Sequence, residues 1–329
     1  MSGHDLDSVD SRLLNLVQRE FPLTRQPYAD LGRRLDLSGG EVIQRLARLK
    51  TEGLVRMIGP VMDSSRLGYA STLAAMKIKA TGVDKAARAL AAHAGVSHAY
   101  LREHAYNIWF TLAVRAEADL RAELDSIARA CGGSDILSLP AVKVFKLRTY
   151  FDMEGQFPTI QGPDEMAGEP PGKSSLTRAE KLVVNEIQQD LPLDPSPFAR
   201  MASQIGSGEV EFLSVCTSLM QKGIIRRFGA ALDHNRAGYR VNALTCWHAL
   251  PEEAGAAGRR LAAFPEVSHC YQRKTNGKWR YNLYAMLHSR DAEGCRAAIE
   301  RLSAASGLDD FITLTTVREL KKGRIKYWA

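Results

Sequence analysis

Several features are scarce in these 329 residues, and each scarcity narrows the field. No apolar run approaches the roughly 18 residues that a membrane-crossing helix needs. The opening MSGHDLDSVD is acidic where an export signal is basic and then apolar. A cytoplasmic protein without membrane spans is expected. Cysteine is sparse as well: Cys131, Cys216, Cys246, Cys270 and Cys295 stand far apart with no CxxC pair. That spacing fits reduced, buried thiols rather than a disulfide framework or a cysteine-based zinc site. No phosphate loop or dinucleotide fingerprint occurs, so neither an organic cofactor nor an intrinsic metal is expected.

What is present is ordinary in amount and unusual in arrangement. A hydrophobic content of 45% with 25% charged residues describes a globular chain, and the length exceeds what one core usually fills. The net charge of +7 points to an anionic partner, either nucleic acid or a polyanionic small molecule. Comparing the two halves is more telling. EGLVRMIGPVMDSSRLGY at 52–69 and KGIIRRFGAALDHNRAGY at 222–239 share Gly53/Gly223, Arg56/Arg226, Gly59/Gly229, Asp63/Asp233, Arg66/Arg236, Gly68/Gly238 and Tyr69/Tyr239 at a constant offset of 170. The same offset reaches back to Asn15/Asn185 and Pro22/Pro192. Further on, VSHAYLR at 96–102 matches VSHCYQR at 267–273, and Tyr106-Asn107 matches Tyr281-Asn282 after an insertion within KTNGKWR. The chain is a tandem duplication.

Each half opens with three short segments of helical period, with LSGG as a turn before the third, which is a helix-turn-helix. LVRMIGPVMD reads as two short β segments in the place of a wing. The order strand, helix, strand, strand, helix, strand then runs from STLAAMKIKA to ILSLPAVKVFKL, and again from VNALTCWHAL to DFITLTTVREL. The fold class is therefore α+β, a tandem repeat of winged helix-turn-helix and ferredoxin-like βαββαβ domains. Expected bounds are 1–65 and 66–153, a Gly/Pro-rich linker at 154–175, then 176–235 and 236–329.

A helix-turn-helix joined to a small βαββαβ domain resembles the Lrp/AsnC transcription regulators. Two such units in one chain, with REHAYNIWFTL in the first and KGIIRRFGA and WRYNLYAML in the second, look like the fused form of the sirohaem decarboxylases. That resemblance implies a carboxy-lyase that removes the acetate carboxylates at C12 and C18 of sirohaem to give 12,18-didecarboxysirohaem, for haem d1 or an alternative haem route. The iron would arrive with the substrate. The other reading is a regulator that senses a small ligand. Gln44, Arg45, Arg48 and Lys50 would suit DNA on the third helix, but Glu209 and Glu211 begin its counterpart, so DNA binding is not expected. Sirohaem and its product are the expected partners, and a homodimer of the fused chain is compatible with the repeat.

The loops between the second and third strands of each βαββαβ unit carry the candidate chemistry. Arginine clamps carboxylates bidentately, and histidine is the usual proton donor near neutral pH. His104, without a counterpart in the second half, is assigned as acid or iron ligand, with Arg102 as a carboxylate clamp and Tyr106 as a positioner. Asn107, His98, His269, Arg273, Lys274, Trp279, Tyr281 and Asn282 are assigned to substrate binding, His98 being the other candidate iron ligand. Trp109 reads as core. His93, His234, His248 and His288 form no evident constellation, and KKGRIKY at 321–327 reads as a solvated tail or a source of positive charge near a substrate mouth.

Overall fold

A computed structural model describes residues 6–147, 150–154 and 176–328. The first helical unit contains α1 (Ser8–Arg19), α2 (Pro27–Arg33) and α3 (Gly39–Thr51), and the second contains α6 (Arg178–Ile187), α7 (Pro197–Gln204) and α8 (Glu209–Gln221). Local chemistry sets their starts. Ser38 and Glu41 form a reciprocal capping box on α3, Thr177 and Glu180 do so on α6, and proline begins α2 and α7 where no amide hydrogen is needed. The apolar faces of both units meet in one core, with Leu13, Leu46 and Val55 beside Val184, Phe212 and Phe228.

The expected wings are not hairpins. LVRMIGPVM is one strand, β1 (Val55–Met62), and it pairs antiparallel with β7 (Ile225–Leu232) of the other unit, Gly59 opposite Gly229. An isolated two-stranded wing would leave its outer edge unpaired, whereas pairing across the repeat satisfies each strand with its own homologue.

The first βαββαβ unit consists of β2 (Tyr69–Lys77), α4 (Val83–Ala92), β3 (Val96–Arg102), β4 (Ile108–Arg115), α5 (Leu120–Cys131), β5 (Ser134–Leu139) and β6 (Ala141–Leu147). The second consists of β8 (Val241–Trp247), α9 (Pro251–Ala262), β9 (Val267–Arg273), β10 (Leu283–Ser289), α10 (Ala292–Ser306) and β11 (Phe311–Lys322). The last strand of each unit is shared. β5 pairs with β2 of its own unit, the chain turns at Pro140, and β6 pairs with β9 of the other. The first part of β11 pairs with β8 and its second part with β3. The order β5-β2-β4-β3-β11-β8-β10-β9-β6 thus begins and ends on strands joined by a single residue. Trp109, Leu137 and Leu139 of one unit pack with Leu244, Cys246 and Tyr284 of the other between the sheets.

The segments after the shared strands are latched symmetrically. Gln18 on α1 donates to the Phe151 carbonyl (2.9 Å) and accepts from the Phe151 amide (2.9 Å). Gln188 makes the same two bonds to Tyr327 (3.2 and 2.9 Å). Across the repeat, Tyr239 donates to the Asp152 carbonyl at 3.3 Å and the Trp328 amide donates to the Tyr69 hydroxyl at 2.9 Å. The linker expected at 154–175 lies outside the described residues apart from Glu154.

Gly258 on α9 seats the exchanged β6, since a Cβ there would lie 2.2 Å from the Phe145 ring. Gly258→Ala improves helix propensity, but overpacking outweighs that gain, so a net loss of about 1–3 kcal/mol is expected in urea unfolding.

Candidate functional site

Period-two alternation along β3 and β9 builds the centre of the site. His98, Tyr100 and Arg102 fall on one face of β3, and His269, Tyr271 and Arg273 on the matching face of β9, while Ala99 and Cys270 point into the helical cores. His98 stacks near Tyr100 (6.4 Å between centroids) and His269 near Tyr271 (6.3 Å). The Arg102 guanidinium lies 5.0 Å over Tyr100, and that of Arg273 lies 4.5 Å over Tyr271. Each arginine is fixed by the shared strand that crosses beside it. Arg102 Nη1 donates to the Leu314 carbonyl (2.7 Å) and Arg273 Nη1 to the Leu139 carbonyl (2.9 Å), which are equivalent positions of the two units. Arg102 is 2% exposed, burial lowers its pKa to about 10, and Nε of both arginines is buried without a partner. Among the described residues neither guanidinium pairs with a carboxylate. A cation buried on those terms is costly unless a ligand supplies the charge.

These faces line a cavity of about 530 Å³ between the sheets, the β1–β7 ribbon and the latched segments. Arg56, Arg102, Arg227, Arg273, Lys322 and Arg324 line it with four histidines, and among the described residues no aspartate or glutamate does. Carbonyl oxygens hold several of the other cations: Arg56 donates to Lys322 (3.0 Å), Arg227 to Gln18 (2.9 Å) and Arg324 to Pro60 (2.8 Å). Arg226, the counterpart of Arg56, is instead drawn to Asp63 of the other unit at 2.7 Å. This ion pair thus forms across the repeat, and Arg56 is left to face the cavity.

His234 and His288 complete the set, their rings 5.3 Å apart. Ser64 and Ala113 hold the equivalent places in the first unit. Burial, reinforced by the Lys322 cation, lowers His98 and His234 to about 4. Burial lowers His269 to about 3, with His98 and Arg227 adding to the effect, and His288 falls well below its ordinary value for the same first reason, with His234 and His269 contributing. The site therefore holds neutral imidazoles among fixed cations.

The assigned residues divide accordingly. His98, Arg102, His269 and Arg273 line the cavity; His104, Tyr106, Asn107, Lys274, Trp279, Tyr281 and Asn282 do not. His104 accepts from the Tyr106 amide at 3.0 Å and lies edge-on to Trp279 at 5.5 Å, in a lock between the REHAYN loop and the inserted KTNGKWR loop. Tyr106 donates to Asp135 (2.8 Å), which Lys77 (2.8 Å) and Lys278 also hold. Asn107 clips the Ile78 backbone through both amide atoms (2.9 and 2.8 Å), as Asn282 clips Ala249 (2.9 and 2.8 Å). The side-chain amides of the two asparagines are thus already spent on backbone. Lys274 is exposed, and its amide donates to Pro140. Trp279 donates to the Tyr284 hydroxyl (2.8 Å), and Tyr281 packs on its ring at 5.2 Å. Trp109 is core, as expected, and also borders the cavity. The histidines without an evident constellation in sequence, His234 and His288, are brought together here, as are Lys322 and Arg324 of KKGRIKY.

The helix-turn-helix surface is poorly suited to a duplex. Arg45 pairs with Asp7 and Asp10 at 2.7 Å each, Arg48 with Asp10 and with Glu52 (3.1 Å), and Lys50 with Asp190 of the other unit. Phosphates would have to displace these pairs, and α8 presents acids in its first turn.

Both kinds of domain match known families. Residues 66–146 and 236–321 match the AsnC-like ligand binding domain, and residues 10–56 and 180–226 match the siroheme decarboxylase NirDL-like HTH domain. Over 332 residues the chain is 35% identical to the "Siroheme decarboxylase" of Hydrogenobacter thermophilus (strain DSM 6534 / IAM 12695 / TK-6), covering 99% of this chain and 96% of that one. It superposes on a crystal structure of the siroheme decarboxylase NirDL with a TM-score of 0.74 at 32% identity, covering 98% of this chain and 95% of that one. A second NirDL structure, in co-complex with an iron-uroporphyrin III analogue, gives a TM-score of 0.73 at 31% identity with the same coverage.

The depressed histidines set a pH dependence of stability. Below about 6.5 the unfolded chain takes up protons that the folded cavity refuses, so stability falls as pH drops toward about 4, by roughly 1.4 kcal/mol per pH unit for each histidine that stays neutral. Urea midpoints at pH 7.0 and 5.5 check this. The lower pH, still above the carboxylate range, should give the lower midpoint.

Proposed function

Because the chain belongs to the siroheme decarboxylase family, in its fused NirDL form, we propose that it removes the C12 and C18 acetate carboxylates of sirohaem, giving 12,18-didecarboxysirohaem for haem d1 or an alternative haem route. The observation that carries this reading is the cavity's charge: among the described residues, six guanidinium or ammonium groups, four neutral imidazoles and no acid line one space. Sirohaem, a macrocycle bearing eight carboxylates, supplies the missing counter-charge.

The reaction is redox-neutral. One carbon–carbon bond breaks for each acetate, carbon dioxide leaves without the bonding pair, and the remaining carbon takes one proton to become a methyl group. Arg102 and Arg273 hold carboxylates through their remaining N–H donors, while their Nη1 anchors fix their aim. His98 and His269, two strand positions pairs away on the same faces, offer neutral nitrogens to the substrate or its iron. Trp109 and the site tyrosines border the macrocycle.

Anaerobic incubation with sirohaem, followed by product mass, tests the reading: loss of two carbon dioxide units is expected, and binding without mass change would overturn it. Arg102→Gln and Arg273→Gln should each weaken sirohaem binding about 10- to 100-fold, the worth of a charge-assisted hydrogen bond, as read by absorbance titration. His269→Ala should cost at least tenfold more in turnover than His104→Ala, whose ring lies outside the cavity.

A further inference from the structure

We propose that the Lys322 ammonium is the group that delivers protons to the substrate carbon, held in place by His234 and recharged through Glu319 and Asp233. This rests on the decarboxylase reading and adds a role to it. Each carboxylate lost calls for one proton, so a site that works twice on one substrate needs a donor that can be refilled from solvent.

The lining groups leave few candidates for that task. Guanidinium groups do not give up protons in proteins. The imidazoles are held neutral, and burial raises Tyr100 to about 12. Lys322 is the one lysine among the described residues that line the cavity. Its Nζ lies 2.8 Å from His234 Nδ1, 3.6 Å from a Glu319 oxygen and 3.9 Å from an Asp233 oxygen. An ammonium only donates, so His234 accepts through Nδ1 and steers one of the three N–H bonds. The Lys322 side chain is 14% exposed, against 39% for Glu319 and 25% for Asp233, so the lysine stands between the cavity and two carboxylates open to solvent. Burial also lowers its pKa, which makes the ammonium a better acid.

The arrangement belongs to one unit only. Lys322 and Leu147 are equivalent, because Lys322 sits opposite His98 in the β11–β3 ladder as Leu147 sits opposite His269 in the β6–β9 ladder. Val144 corresponds to Glu319, and Ser64 to His234. The duplication has thus kept its carboxylate clamps in both halves and its ammonium in one. In the step itself an Nζ–H bond breaks, a C–H bond forms at the carbon that lost carbon dioxide, and the neutral amine takes a proton from water beside Glu319 or Asp233.

Lys322→Met, Lys322→Arg and Lys322→Ala in the full chain test this, with sirohaem as substrate and folding checked by thermal unfolding. Lys322→Met should lower kcat about 100-fold or more while changing the affinity for sirohaem less than tenfold. Lys322→Arg keeps the charge and a donor to His234 yet should not restore kcat, and methylammonium should restore part of the rate of Lys322→Ala. Recovery of kcat to within threefold by arginine would overturn the proposal and leave Lys322 a structural cation. So would a Lys322→Met enzyme of near-normal kcat. Should the unaltered protein bind sirohaem without releasing carbon dioxide, it is the decarboxylase reading that fails.

Discussion

Two guanidinium groups, one buried and one half-buried, that pair with no carboxylate among the described residues govern this molecule. Arg102 and Arg273 are each pinned through Nη1 to a carbonyl of a strand that crosses between units, and each leaves Nε with no partner. A hydrophobic residue would fill either place at lower cost to folding. The arrangement persists because the crossing strands, the facing sheets and the ribbon over them hold the cations in one enclosed space. The fold bears the electrostatic penalty, and a polyanion relieves it on binding.

Around that pair the duplication is faithful in its scaffold and divergent in part of the cavity lining. The glutamine latches, the asparagine clips and the His-Tyr-Arg faces recur in both units with nearly the same distances. Among the cavity residues, His234, His288 and Lys322 depart from their equivalents Ser64, Ala113 and Leu147 in the other unit. This space is lined by matched guanidinium groups and by unmatched histidine and lysine side chains. The contributions of the two units to it therefore differ even though the scaffold is nearly symmetric.

The repeat, the helix-turn-helix and the βαββαβ order were legible because each rests on local periodicity and on identities at a fixed offset. The shared strands were not. ILSLPAVKVFKL has the pattern of a strand wherever it pairs, and nothing local tells that Pro140 sends its second half to the other unit. The wings failed for the same reason, since pairing partners are tertiary facts. At the site, the alternation in SHAYLR and SHCYQR already placed histidine, tyrosine and arginine on one face. Weight fell instead on the unshared His104. His234 and His288 are unshared as well, but 54 positions separate them and only the fold brings their rings together.

The exchange of β6 and β11 has a consequence for how such a protein can diversify. With the last strand of each unit completing the other, neither half has a closed sheet of its own, and any two compatible halves can in principle complete one another. Separate chains carrying unequal halves would face a sorting problem, in which two like pairings compete with the one unlike pairing that unites both sets of side chains. Joining the halves in one polypeptide fixes their ratio and raises the effective concentration of the unlike pair. Selection against mispairing is then relaxed at the shared seams, and the two halves are free to drift apart in the residues that face the cavity.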